Sequence, residues 1–147
     1  ITSRRINSAT IEYKGQIIEF YTCHMNLPTN QEEKMADNIQ TILKRSQTDN
    51  LKILMGDFNT DAINSPEDYK MILSQGLYDT YTAAEEKDSG ITVGGNIDGW
   101  SKSKEEKRID YILSNKEIKV KSSKVIFNGE NHPVVSDHYG LEVILDL

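Results

Sequence analysis

A chain of 147 residues is long enough for one domain with a real core, since a domain of that size buries roughly two-thirds of its unfolded surface. Apolar residues at 37% and charged residues at 27% place it among globular chains. A formal charge of -6 with a sequence pI near 5.1 gives a bulk field that repels a polyanion. No apolar stretch approaches the roughly 20 residues a membrane-spanning helix needs, and the lone Cys23 excludes an intrachain disulfide.

The chain opens at Ile1 in a strand-like pattern with no start signal or leader, so it is expected to be a piece of a longer protein. On that basis the compartment stays open, with the cytoplasm favoured. Ile6 to Tyr13 alternates, Lys14-Gly15 turns the chain, and QIIEFYTCHM runs back, which predicts a hairpin. Asn30 is a candidate N-cap for a helix over 31–45, in which Met35, Ile39, Ile42 and Leu43 fall at helical spacing. Leu51 to Met55 is a short apolar run suited to a buried strand, ended by Gly56. Ser65-Pro66 opens a second helix that closes at Gly76. From about Thr82 to Lys107 the chain is rich in Gly, Ser, Asp and Lys and reads as one long irregular segment. Arg108–Leu113 and Lys119–Phe127 then alternate as strands, 128–136 is a loop, and Tyr139–Leu147 is a closing strand. The whole reads as a single unit over 1–147.

Chemistry-bearing residues cluster at the ends of these strands. Asp57 and Asn59 follow the buried strand directly and, being two apart, share a side if extended geometry persists through Phe58, which would then point into the core. Gly-Asp-Phe-Asn is also simple turn material. Asp110 sits mid-strand, where an unpaired charge is costly; a structural ion pair with Arg108 or a lysine would satisfy it, and so would His138 of Ser136-Asp137-His138. His24 ends its strand beside Cys23, and because neighbours on a strand face opposite ways the two cannot form a thiolate pair, which leaves Cys23 as a core residue. Consecutive residues cannot align as a protease triad, which removes that reading of 136–138. His132, before Pro133, reads as a loop residue.

The segments GDFNT, RIDYI and SDH, in that order, resemble the catalytic C-terminal half of the metal-dependent phosphoesterases of the endonuclease/exonuclease/phosphatase superfamily. The resemblance implies an α/β (α+β) fold, half of a DNase I-like four-layer sandwich with mostly antiparallel sheet and flanking helices. It implies Mg²⁺ or Mn²⁺ held by Asp57, Asn59 and Asp137, with His138, oriented by Asp110, as base or phosphate-facing group. Asn59 would position the nucleophile or the scissile phosphate. His24 would donate to a phosphoryl oxygen, although Thr-Cys-His-Met stands where the superfamily usually shows Asn-Thr-His-Leu. In such domains a preceding half brings a strand-borne asparagine and a metal-binding glutamate. Without it this chain is expected to be inactive or weakly metal-binding alone, and to self-associate or require that half.

The substrate divides the readings. Trp100, in ITVGGNIDGW, offers a surface for stacking and Gly94-Gly95 offers amides, or the segment is a surface hairpin. The acidic balance favours a small phosphorylated molecule such as a sugar phosphate. Lys102, Lys104, Lys107 and Arg108 could instead form a basic rim for DNA or RNA, making a nuclease the alternative. A non-catalytic binding domain is the third reading, opposed by the retention of five costly polar residues at 57, 59, 110, 137 and 138.

Overall fold

The computed structural model describes residues 5–25, 32–94, 97 and 105–147. Strands β1 (Asn7–Tyr13) and β2 (Gln16–His24) form the hairpin, with Lys14 and Gly15 both at positive φ, as a tight two-residue turn of twist-matching hand requires. Helix α1 (Glu32–Lys44) then carries the chain across to β3 (Leu51–Asp57), which pairs parallel to β2. Helix α2 (Pro66–Ser74) comes next, with Ser65 at its N-cap position but no cap bond from the hydroxyl. The expected cap Asn30 lies outside the described residues.

Short β4 (Tyr78–Asp79), a single turn α3 (Thr80–Ala83), and β5 (Ala84–Lys87) lead to β6 (Asp110–Ser114), β7 (Lys119–Ile126) and β8 (Gly140–Asp146). The strands make two sheets, ordered β1-β2-β3-β6-β4 and β5-β7-β8, mostly antiparallel, with β2–β3 and β5–β7 parallel. This is a mixed α/β fold. The segment expected to be irregular from 82 to 107 therefore contains an unforeseen strand: Ala84-Glu85-Glu86-Lys87 has poor strand propensity and is held by pairing with β7. Farther along the same segment, Val93 and Lys107 pair in an isolated antiparallel bridge.

Alternation distributes the five-stranded sheet between two cores. Tyr21, Cys23, Leu54, Tyr111 and Leu113 face α1 and α2, meeting Met35, Ile39, Ile42 and Ile72. One residue out of phase, Ile18, Phe20, Leu51, Ile53, Met55 and Ile112 face the second sheet, meeting Ile118, Leu145 and Leu147. His24, Asp57 and Asp110 continue this second set, so their parity points them to the inter-sheet side at the ends of β2, β3 and β6.

Candidate active site

Three strand ends bring the site together. In the parallel β2–β3 register His24 lies opposite Asp57, and in the antiparallel β3–β6 register Asp57 lies opposite Asp110. Gly56 makes the β2–β3 approach possible. It has φ +134°, and a Cβ built there would lie 1.9 Å from the Cys23 carbonyl oxygen, closer than any side chain tolerates.

The carboxylate of Asp57 is the centre. Its Oδ1 accepts the Asn59 backbone N–H at 2.7 Å, while its Oδ2 stands 3.2 Å from His24 Nε2 and 4.0 Å from His138 Nε2. On the far side of the imidazole, His138 Nδ1 is 2.8 Å from Asp110 Oδ2. Asp110, His138 and Asp57 thus form a line, carboxylate to imidazole to carboxylate, all partly buried. His24 enters from the rim, 55% exposed. Arg108, offered by sequence as a partner for Asp110 and as part of a basic rim, serves neither purpose. It is buried, its guanidinium 2.7 Å from Asp79 Oδ2 and enclosed by the rings of Tyr69, Tyr81 and Tyr111, because a buried charge needs a complete set of partners.

Electrostatics derive from the geometry. Burial raises the Asp57 carboxyl above its ordinary value, opposed by the Asn59 amide, and Asp110 raises it further while the two histidines lower it. The hydrogen bond to Asp110 raises His138 above its ordinary value, against the effect of burial, and the charges of Asp110, Asp57 and Asp137 add to the rise. The Cys23 thiol, buried and beside Asp57, is pushed up to about 12, so it stays protonated and directs its S–H toward the Met55 carbonyl.

Asn59 departs from the extended path expected through Phe58. Phe58 is wholly buried, edge-on to Tyr111, but Asn59 is left-handed at φ 49°, and its amide Nδ2 donates to the Met25 carbonyl at 2.6 Å. It therefore clips the end of β2 to the loop after β3, beside Asp57 rather than parallel to it. Asp61, in the same loop, accepts from the backbone N–H groups of Ile63 and Arg108 and from Asn64, and Tyr111 Oη donates toward the carbonyls of Thr60 and Arg108. No sequence pattern singles out these supports. Tyr111 is visible in sequence only as an alternating strand residue, and Asp61 only as the residue after GDFNT.

Asp137 stands apart. It is exposed, with its carboxylate bonded to Ser136 Oγ at 3.2 Å, and it reaches the site through its field on His138. Among the described residues the one group of three acidic or histidine ligand atoms lying within 4.8 Å of one another is Asp57, Asp110 and His138. Two carboxylates side by side, one of them penalised by burial, form a donor set that fits a hard divalent cation, which would relieve the repulsion that raises Asp57. Trp100 and Gly95 lie outside the described residues, as do Lys102 and Lys104. Gly94 accepts the Ile97 N–H through its carbonyl.

Residues 5–138 match the Endonuclease/Exonuclease/phosphatase family. Among solved structures, the chain is similar to an endonuclease/exonuclease/phosphatase family protein from Leptotrichia buccalis, at 63% identity and TM-score 0.88, over 97% of this chain and 54% of that one. It is also similar to a mannosyl-6-phosphatase from Bacteroides thetaiotaomicron, at 26% identity and TM-score 0.70, over 91% of this chain and 53% of that one. A Staphylococcus aureus beta toxin, at 14% identity and TM-score 0.68 over 96% of this chain and 57% of that one, shares the fold. No curated protein matches. The chain spans about half the length of the solved structures it resembles. With the family motifs gathered at one end of a two-sheet α/β fold, the chain belongs to the endonuclease/exonuclease/phosphatase family.

Proposed function

We propose that this chain supplies the acid–base half of a divalent-metal-dependent phosphoesterase, hydrolysing a phosphate ester by attack of an activated water, with a small phosphorylated molecule such as a sugar phosphate as substrate. The observation that carries the reading is the line Asp110–His138–Asp57, in which a carboxylate 2.8 Å from Nδ1 leaves Nε2 turned toward a second carboxylate 4.0 Å away. A carboxylate on one imidazole nitrogen fixes the tautomer and raises the basicity of the other, which is what a group that takes a proton from water requires. In this reading His138 Nε2 receives the proton, Asp110 holds the imidazolium that results, and His24 donates to a phosphoryl oxygen. Asn59 offers the remaining hydrogen-bonding capacity of its amide to the phosphate or its cation. Asp57 and Asn59 would hold Mg²⁺ or Mn²⁺, joined by Asp137 once it turns in from its exposed position against Ser136, and the charge of the cation would stabilise the developing negative charge on the phosphate.

Two things support the small substrate: the net charge of -6, and the burial of Arg108, which removes one cation from any strand-binding rim. The similarity to a mannosyl-6-phosphatase at 26% identity points the same way. The test is phosphate release from a panel of sugar phosphates, set against cleavage of single- and double-stranded DNA and RNA. It should use this chain and the longest polypeptide its gene encodes, with Mg²⁺ and with excess chelator. Turnover of sugar phosphates that the chelator abolishes supports the proposal, and cleavage of nucleic acid alone replaces it with the nuclease reading.

A further inference from the structure

Resting on the reading of Asp110 and His138 as a working pair, we infer that Thr92 is a positioning residue that sets the two in register. His138 ends a loop with no regular structure, exposed from Glu130 to Asp137, and its backbone N–H donates to Ser136 Oγ at 3.3 Å. Strand pairing resumes only at Gly140, opposite Ile126. Between these points the chain is tethered to the body by the Tyr139 N–H, which belongs to the peptide joining Tyr139 to His138 and donates to the Thr92 carbonyl at 2.8 Å. The same residue holds the other partner. Thr92 Oγ1 accepts from the backbone N–H groups of Ile109 and Asp110 at 3.3 and 3.4 Å.

Thr92 is wholly buried and is itself fixed, since its N–H donates to the Lys107 carbonyl at 2.9 Å beside the Val93–Lys107 bridge. One residue therefore fastens both ends of a 2.8 Å contact between a strand and a loop. The two Oγ1 bonds are long and individually weak. Their effect is geometric, because a catalytic pair is sensitive to displacements well below 1 Å, and one buried residue that holds the loop through its carbonyl and the strand through its hydroxyl limits their relative motion. Val would fill the same space but lacks the acceptor oxygen, whereas Ser keeps the oxygen and loses the methyl group.

The test uses Thr92→Val, which keeps shape and the main-chain carbonyl but loses Oγ1, and Thr92→Ser, which keeps Oγ1. The ¹⁵N signals of the His138 imidazole, read without metal at one fixed pH, should show a single Nδ1–H tautomer in the wild type and in Thr92→Ser, and a mixture in Thr92→Val. Asp110→Asn is the reference: if it leaves those signals unchanged, the reading of the pair fails, whatever Thr92 does. If Asp110→Asn moves them and Thr92→Val does not, or if Thr92→Ser moves them equally, the inference about Thr92 is overturned. In the active polypeptide Thr92→Val should lower kcat roughly ten- to a hundredfold with KM little changed, and should add nothing in an Asp110→Asn background. Should Thr92→Val not fold, wild-type amide hydrogen exchange decides. The Asp110 and Tyr139 amides should be protected to the same degree as that of Thr92, and a Tyr139 amide exchanging at the rate of the exposed loop would overturn the inference.

Discussion

At the scale of single residues the proposed chemistry turns on His138. Its pKa in the folded chain is raised chiefly by Asp110, so the proton it binds stabilises the fold below the ordinary histidine value, and that contribution is lost as pH rises through the folded pKa. We expect an NMR titration of the metal-free chain to place His138 above 6.5, and Asp110→Asn to bring it back toward that value; an unchanged titration would show that Asp110 is not its partner. In the active polypeptide Asp110→Asn should also cost about 10² to 10⁴ in kcat, the usual worth of a positioned acid–base group. Much of this was legible in the sequence, since a carboxylate in mid-strand and a histidine after an aspartate each call for a partner. Asn59 was less legible. The spacing of 57 and 59 suggests a shared side, but the left-handed turn at Asn59 accompanies its bond to Met25, 34 residues earlier in the chain, which no local pattern announces.

At the scale of elements the placement of β2 and β3 is set by two features that take no part in the chemistry. Gly56 lets β3 approach β2 closely enough to face Asp57 with His24, and Gly56→Ala should destabilise the chain by on the order of 3 kcal/mol, read by urea unfolding; a loss under about 1 kcal/mol would contradict that close approach. Glu19, buried on β2, fastens the α1–β3 connection by accepting from Tyr21, Ser46, Thr48 and Asn50. These bonds outweigh burial and hold its carboxyl down to about 2. Because that pKa is depressed in the folded state, its stabilisation is present above about pH 4.5 and disappears as pH falls toward 2. We expect Glu19→Gln to lose on the order of 2 kcal/mol at neutral pH and to flatten the acid limb of stability, measured by denaturant titration at several pH values. Hairpin, helices and the apolar β3 could be read from periodicity. The strand β5 could not, because Ala84 is its one buried residue and pairing with β7, not amphipathic pattern, makes it a strand.

At the scale of the whole molecule, the two-sheet arrangement leaves apolar surface at its margins. Strand β1 is exposed along its whole length, Ile11 and Tyr13 included, Ile17 and Ile144 are exposed on β2 and β8, and Phe20, Met55, Ile112, Leu145 and Leu147 are only partly covered between the sheets. Edges and faces of this kind recruit partners, and we expect this chain, sedimented alone, to self-associate; a monodisperse monomer would contradict that expectation. The chain spans about half the length of its solved relatives, so the proposed activity is tested on the longest polypeptide the gene encodes. The central claim is that the line Asp110–His138–Asp57 hydrolyses a phosphate ester with the help of a divalent cation. Its most direct test is phosphate release from mannose 6-phosphate and related sugar phosphates by the longest polypeptide the gene encodes, comparing wild type with His138→Ala, each with Mg²⁺ and with chelator. We expect turnover that requires Mg²⁺ and falls at least about a hundredfold in His138→Ala while Mg²⁺ affinity, measured by calorimetry, is largely kept. Turnover undiminished by either the chelator or the substitution would contradict the claim.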